Sequence, residues 1–381
     1  MSAALAVLEK TGKRLPAQVR SFRFINSTKI WGGEERFVFD LAAGLKTMGH
    51  SVSVYGRPET EFLSRIAAAG LETCSVYPKF DYDFLPLRKF GASSAEEGFV
   101  AITPRDFKLL RMLAFFHPQA KVFWHLGVAY PEPSWEYRWL LKKGNLRLIT
   151  PSEFLKSRIL ADFPSLADRI LVLPNGVGIS SLDAGRARQG LSEKFGISPD
   201  KVFLGIFSRL TGWKGHLLLF QALRIVKKEN VGFHLWVVGG GEEERFKKEA
   251  EDLEIANQTT FTGHQTDVMA FMAGVDMVLL PSQIDYSPYA VLEAMALGKT
   301  VLASGVGGLP EMIRSGEDGR LLPPGPPEAW ASAVVELARN ARRREGLGEA
   351  ARRSVKEKFS LERMISGFLD IVNADSAIGR S

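Results

Sequence analysis

The chain reads as an α/β protein in two halves, each built on a parallel β-sheet with helices on its faces. Three observations predict this. Short apolar runs of strand length alternate with helical or irregular segments along the whole chain, as strands that pair in parallel require. Several of these runs end in a glycine-containing loop that leads into a helix. The length, 381 residues, holds two domains at the usual ~100–200 residues each.

In the first half, residues 19–27 form the first expected strand and 28–33 a loop. A helix follows from Glu34 to about Met48 and stops at Gly49. Glycines Gly32 and Gly33 ahead of a helix start let backbone N–H groups approach a phosphate or sugar oxygen. Further short strands are expected at 51–55, 72–76, 99–103, 121–126 and 147–150. Residues 80–94, rich in aromatics, Pro and Gly, read as an inserted loop, and its Asp81 and Asp83 fall at a two-residue spacing that recurs by chance. His125 closes the run KVFWH and is expected at the carboxyl edge of the sheet, where ligands of open parallel sheets gather. Glu153 at a helix start and Asn175 in the turn Pro174-Asn175-Gly176-Val177 are weaker site candidates.

A polar segment at 178–196 joins the halves, and the alternation resumes with a strand at 202–207. Arg209 and Lys214 follow that strand, with Gly212 between them. Two cations five residues apart at a strand end can hold two phosphates and offset charge that builds on a leaving diphosphate. The strand at 235–238 runs into Gly239-Gly240-Gly241 and the acids Glu242 to Glu244. No second glycine pattern or ribose acid is spaced for a dinucleotide site. Thr262-Gly263-His264 precedes a helix from Asp267. The segment 328–353 is helical and heavily charged, and 359–372 reads as a last helix.

The densest chemistry lies at 274–312. Residues 277–280 form a strand that ends at Pro281 and Ser282. Asp285 sits in the following loop, Pro288 opens a helix that carries Glu293, and Gly298 closes it before the strand 300–303. This stretch resembles the signature of retaining glycosyltransferases of family 4, a Glu-x7-Glu pair followed by Ala-Met-Ala-x-Gly and a Gly-Gly-x-x-Glu turn. The matching residues are Asp285, Glu293, Ala294-Met295-Ala296, Gly298, Gly307-Gly308 and Glu311. Two residues depart from the pattern: Asp285 stands for a Glu, and Pro288 for a glycine whose amide can face the donor.

The resemblance covers the chain from about residue 19 and implies the GT-B fold: two Rossmann-like domains facing across a cleft. The boundaries it implies are 1–178 on the acceptor side, 179–358 for the nucleotide-sugar, and a helix at 359–381 crossing back to the first domain. It implies a retaining glycosyltransferase that moves a sugar, with a uridine diphosphate donor favoured, to a glycan or lipid-linked acceptor such as a lipopolysaccharide core. Arg209 and Lys214 would clamp the diphosphate, with Gly240 and Gly263 beside the nucleotide. Glu293 would bind the ribose, and Asp285 the hydroxyls of the donor sugar. His125 would lie near the reacting sugar, with Gly32 and Gly33 facing acceptor and phosphates. No metal or other cofactor is expected, because the two cations neutralise the phosphates. Which group serves as nucleophile stays open, the leaving phosphate being one recipient of the acceptor's proton. Two alternatives stay open: a nucleotide-sugar epimerase of the same fold, a class that does not usually carry the Glu-x7-Glu and Ala-Met-Ala signature, and a binder of sugar nucleotides without turnover, suggested by Asp285 and Pro288.

An apolar share of 45% and a charged share of 24% are ordinary for a soluble globular chain. The one cysteine, Cys74, excludes an internal disulfide framework and suits a reducing compartment. No run reaches the eighteen apolar residues of a spanning helix, and the first seven residues lack the basic start of a signal peptide. The expected location is the cytoplasm. A net charge of +6 suits an acidic partner. The basic and apolar stretches at 108–116 and 139–143 suggest an anionic membrane surface on the inner face of the plasma membrane. No nucleic-acid partner is expected.

Overall fold

The computed structural model describes residues 21–29, 31–80, 83, 97–116, 121–128, 146–179 and 181–378. The chain divides into two compact units, one reaching to Gly178 and taking up again at Ser360, the other Ile179–Phe359. Both are parallel-sheet α/β units of Rossmann type.

The sheet of the first unit is built from β1 (Ser21–Asn26), β2 (Ser51–Gly56), β3 (Glu72–Cys74), β4 (Glu97–Ala101), β5 (Lys121–His125), β6 (Leu146–Thr150) and β7 (Ile170–Val172). Its order is β3-β2-β1-β4-β5-β6-β7, with every pair parallel. The second sheet contains β8 (Val202–Phe207), β9 (Phe233–Val238), β10 (Thr259–Gly263), β11 (Met277–Leu280), β12 (Thr300–Ser304) and β13 (Arg320–Leu322). Its order, β10-β9-β8-β11-β12-β13, repeats the same plan. In each sheet the winding reverses beside the first strand, between β1 and β4 and between β8 and β11. Such a reversal opens a crevice at the carboxyl ends of the two strands. All six residues of β9 are buried, as a strand covered by helices on both faces must be.

The expected strand at 99–103 begins two residues earlier, and β7, β10 and β13 are additional. The polar joining segment holds a helix, Ala184–Phe195, capped by Asp183, which accepts the Arg186 N–H at 3.0 Å, and closed by Gly196 at φ 67°. Only Leu191 of that helix is buried, so its apolar period is too thin to read. The charged segment near 328–353 is two helices, Pro327–Arg339 and Ala341–Lys358, parted at Asn340.

Of the two cations in the basic stretch expected at the surface over 108–116, Arg111 is partly exposed, but the expectation for Lys108 is corrected by the structure. The helix Pro104–Phe116 turns Phe107, Lys108, Leu109, Leu110 and Leu113 inward, so Lys108 offers no surface charge; Phe115 is 73% exposed. The stretch 139–143 and most of the loop 80–94, including Asp81, lie outside the described residues. Asp83 is buried and accepts the Lys79 N–H at 2.9 Å. No helix among the described residues is long and apolar enough to cross a membrane.

The last helix, Leu361–Ile378, belongs to the first unit. Its start is tied to the end of that unit by the Leu361 N–H, which donates to the Val177 carbonyl at 3.1 Å, and its body lays Phe368 against Phe22 and Phe123 at ring distances of 5.5 and 5.8 Å. Phe368 is fully buried. Its replacement by Ala is expected to cost about 3–5 kcal/mol, read as a lower urea midpoint with the slope unchanged.

Candidate functional site

The carboxyl edge of the second sheet is assembled by loops that touch backbone to backbone. Beyond β8, the Ser208 N–H reaches the Val238 carbonyl at 3.1 Å and the Leu210 N–H the Gly240 carbonyl at 2.9 Å, so the glycine turn after β9 lies along the strand exit that carries Arg209. The Gly239 N–H in turn donates to Gly263 at the end of β10. A short helical turn, Gly212–Lys214, follows and ends at Gly215 in the left-handed region, φ 77°. A Cβ on Gly215 would overlap the carbonyl of Pro281 beyond β11. The Gln283 N–H donates to the Trp213 carbonyl at 2.8 Å.

The loop carrying Asp285 is held the same way from its other side. Gly307, at φ 60°, lies where a Cβ would overlap the Asp285 carbonyl oxygen, and the Gly308 N–H donates to that oxygen at 2.9 Å. Through these contacts the Gly-Gly turn sets the backbone of the acid.

Lys214 and Asp285 meet at this edge. The Lys214 ammonium lies 2.9 Å from each carboxylate oxygen, both side chains being 11% exposed. Arg209 is exposed, and among the described residues its guanidinium forms no ion pair. Glu293 is partly buried on the helix Tyr289–Ala296, with Pro288 as its N-cap. Gly240 and Gly263 take their places in the hydrogen-bonded turns, while His264 is exposed. Four hydroxyl oxygens along the edge, those of Ser208, Thr211, Ser282 and Ser304, are buried and have no hydrogen-bond partner among the described residues. Unspent polar capacity of this kind marks a place that receives polar groups.

In the first unit, sequence reasoning missed a set of acids at the reversal between β1 and β4. Glu35, directly after the Gly32-Gly33 loop, is buried and accepts from Asn26 Nδ2 at 3.1 Å and Thr28 Oγ1 at 2.6 Å. Asp106 is fully buried and accepts from the Ser27 N–H at 3.0 Å and Thr103 Oγ1 at 2.7 Å; burial pushes its carboxyl up to about 6. Glu34 accepts the Gly127 N–H at 3.2 Å and so ties the glycine loop to the loop after β5. Burial first, then the charges of Glu35 and Asp106, raise its carboxyl to about 7, against the pull of the Gly127 N–H. The signal was present as two adjacent acids directly behind a glycine loop.

His125 ends β5 as expected, but it is 1% exposed and stacked on Phe37 with ring centroids 3.8 Å apart. Among the described residues neither ring nitrogen has a hydrogen-bond partner, and burial lowers its pKa to about 3. A ring held neutral in this way can hydrogen-bond a hydroxyl, but it takes up no proton near neutrality. Asn175 is buried and Glu153 exposed at a helix start capped by Ser152.

Comparisons with known proteins bear on the family and the fold. The family described as Glycosyl transferases group 1 matches residues 188–354, and Glycosyltransferase Family 4 matches residues 31–180. The chain belongs to these glycosyltransferases. The lipopolysaccharide 1,2-N-acetylglucosaminetransferase of Salmonella typhimurium is 28% identical over 72% of this chain and 72% of its own length. The trehalose synthase of Pyrococcus horikoshii is 23% identical over 93% and 90% of the two chains. Among solved structures, a glycosyltransferase from Rickettsia africae superposes with a TM-score of 0.83 over 94% of this chain and 99% of its own, at 21% identity. Anabaena HepE in complex with UDP superposes with a TM-score of 0.81 over 93% and 100%, at 18% identity. This glycosyltransferase therefore has the GT-B type of architecture in both of its units.

Two tests address how the site is held. Glu34 has a folded-state pKa of about 7 against an ordinary 4.5, so the folded chain binds the extra proton and stability falls as pH rises from 4.5 to 7. Glu34→Gln should remove that decline and raise stability at pH 8 by about 1–3 kcal/mol, seen in urea titrations at pH 4.5 and 8. Gly307→Ala should cost on the order of 2 kcal/mol or more, since alanine is strained at positive φ and its Cβ meets a carbonyl oxygen. A melting curve matching the parent's would show that the Asp285 loop is not set by that turn.

Proposed function

We propose that this glycosyltransferase moves a hexosyl unit from a uridine diphosphate sugar to a hydroxyl of a glycan or lipid-linked acceptor, with retention at the anomeric carbon. The observation that carries the reading is the juxtaposition of Lys214 and Asp285, 71 residues apart in the chain, at the reversal of the second sheet. A diphosphate binder and a hydroxyl binder then stand side by side where the sugar–phosphate bond of a donor would lie. Uridine is favoured because Anabaena HepE was crystallised with UDP and with UDP-glucose. A lipopolysaccharide-type acceptor is favoured by the name of the Salmonella relative. Such an acceptor would bring the chain to the inner face of a membrane.

In this reading Arg209 and Lys214 hold the diphosphate and offset its growing charge as the anomeric carbon–oxygen bond breaks. Glu293 accepts from the ribose hydroxyls, Gly240 and Gly263 let the backbone approach the nucleotide, and Asp285 orients the sugar through its hydroxyls. The acceptor oxygen forms the new bond on the face the diphosphate leaves, and its proton passes to the departing phosphate oxygen. Phosphate neutralisation is assigned to the two cations, so no metal is invoked. In the first unit, the Gly32-Gly33 loop and the neutral ring of His125 present hydrogen bonds to the acceptor side.

Calorimetry with UDP-glucose, GDP-mannose and ADP-glucose tests the donor. UDP-glucose should bind, and Arg209→Ala should weaken it about 10- to 100-fold, the worth of one charge-assisted contact. Asp285→Asn should lower transfer about 100-fold or more, as misplacement at a reacting centre does. Tighter binding of GDP-mannose or ADP-glucose would overturn the uridine assignment. Parental transfer by Asp285→Asn would remove the acid from the mechanism.

A further inference from the structure

The pair formed by Lys214 and Asp285 has a consequence for which nucleotides this site retains. An ammonium has three N–H donors. Two of them meet Asp285, each at 2.9 Å, and the nitrogen also lies 4.2 Å from the centroid of the Trp213 ring, within cation–π reach. The cation is thus engaged by the protein itself, whereas exposed Arg209 has no ion-pair partner among the described residues. The two cations of the clamp are unequal.

Neither loop can back away from the other. The Gln283 N–H bonds the Trp213 carbonyl, Gly215 lies against the Pro281 carbonyl, and Gly307 and Gly308 lie against the Asp285 carbonyl. With the backbone set at these points, the two charges can separate only by rotation of side chains. An aspartate has two such torsions and a short reach, so its carboxylate stays near the place it leaves.

On the reading that Lys214 binds a diphosphate, we propose that Asp285 competes with the diphosphate for Lys214, so that it sets the preference of the site for an intact nucleotide-sugar over a bare nucleoside diphosphate. When Lys214 turns to a phosphate, the buried Asp285 loses its counter-charge and gains an anionic neighbour. Leaving a buried charge unpaired is costly. The hydroxyls of a donor sugar donate to the carboxylate and offset that cost. UDP brings no hydroxyls to that position, so the loss stays uncompensated and the nucleotide product is held weakly. The same acid that orients the sugar then promotes release of the product once the sugar has gone.

Calorimetry of UDP and UDP-glucose against the parent, Asp285→Asn, Lys214→Ala and the double variant tests this. Asp285→Asn should bind UDP about fivefold to tenfold tighter than the parent, because the competitor has lost its charge. Its affinity for UDP-glucose should stay level or fall, so that the ratio of donor to product affinity drops. In the Lys214→Ala background, Asp285→Asn should no longer tighten UDP, since there is no cation left to contest. Asp285→Ser removes the same charge with a smaller group and should move UDP affinity in the same direction if the amide disturbs the loop. Unchanged or weaker UDP binding in both Asp285 variants, with the parent binding UDP normally, would overturn the competition while leaving the nucleotide-sugar reading intact. A parent that binds neither UDP nor UDP-glucose would sink both.

Discussion

The second unit depends on places where one loop's backbone occupies the volume of another's missing Cβ. Gly215 against Pro281, Gly239 against Ser208 and Gly307 against Asp285 are contacts of glycine with a peptide carbonyl, all on the carboxyl edge of one sheet. All three glycines have positive φ, so a side chain there would meet both a clash and a strained backbone. The consequence is a set of loops positioned by peptide geometry rather than by flexible side chains. That rigidity is what brings a lysine beyond β8 and an aspartate beyond β11 to 2.9 Å. It also leaves the side chains as the parts able to answer a ligand.

The first unit solves its crevice with different chemistry. There the loops after β1, β4 and β5 are joined by carboxylates that accept backbone and hydroxyl hydrogen bonds. Burial raises Glu34 and Asp106 toward neutrality, and it holds His125 uncharged. An ion pair stands at the reversal of the second sheet, whereas burial opposes the charged forms of Glu34, Asp106 and His125 in the first unit.

Much of this organisation was legible in the chain. Apolar runs such as 202–207 and 277–280 are buried strands, which is why they read as unbroken rather than alternating. β7, β10 and β13 were not legible, because β7 and β13 have three residues each, too few to show a period, and β10 is mostly threonine and glycine, so neighbouring strands decide their state. The helix Ala184–Phe195 buries one side chain, so packing left almost no trace in its sequence. Lys108 looked like surface charge because composition reports residue type, while its place inside the helix Pro104–Phe116 comes from the helix's packing.

By itself the sequence determined the α/β alternation and picked out the cations beyond β8 and the acids of the 285–293 stretch as candidates, since these rest on local spacing, glycine punctuation and residue chemistry. Tertiary structure decided the rest. Whether Lys214 and Asp285 touch depends on strand order, which places β8 beside β11 although two strands intervene in the chain. The charge state of Glu34, Asp106 and His125 depends on burial and on neighbours distant in sequence, and so does the union of three loops around them. Local pattern can name a group that carries charge; only the packed environment decides whether that charge is expressed, paired or removed.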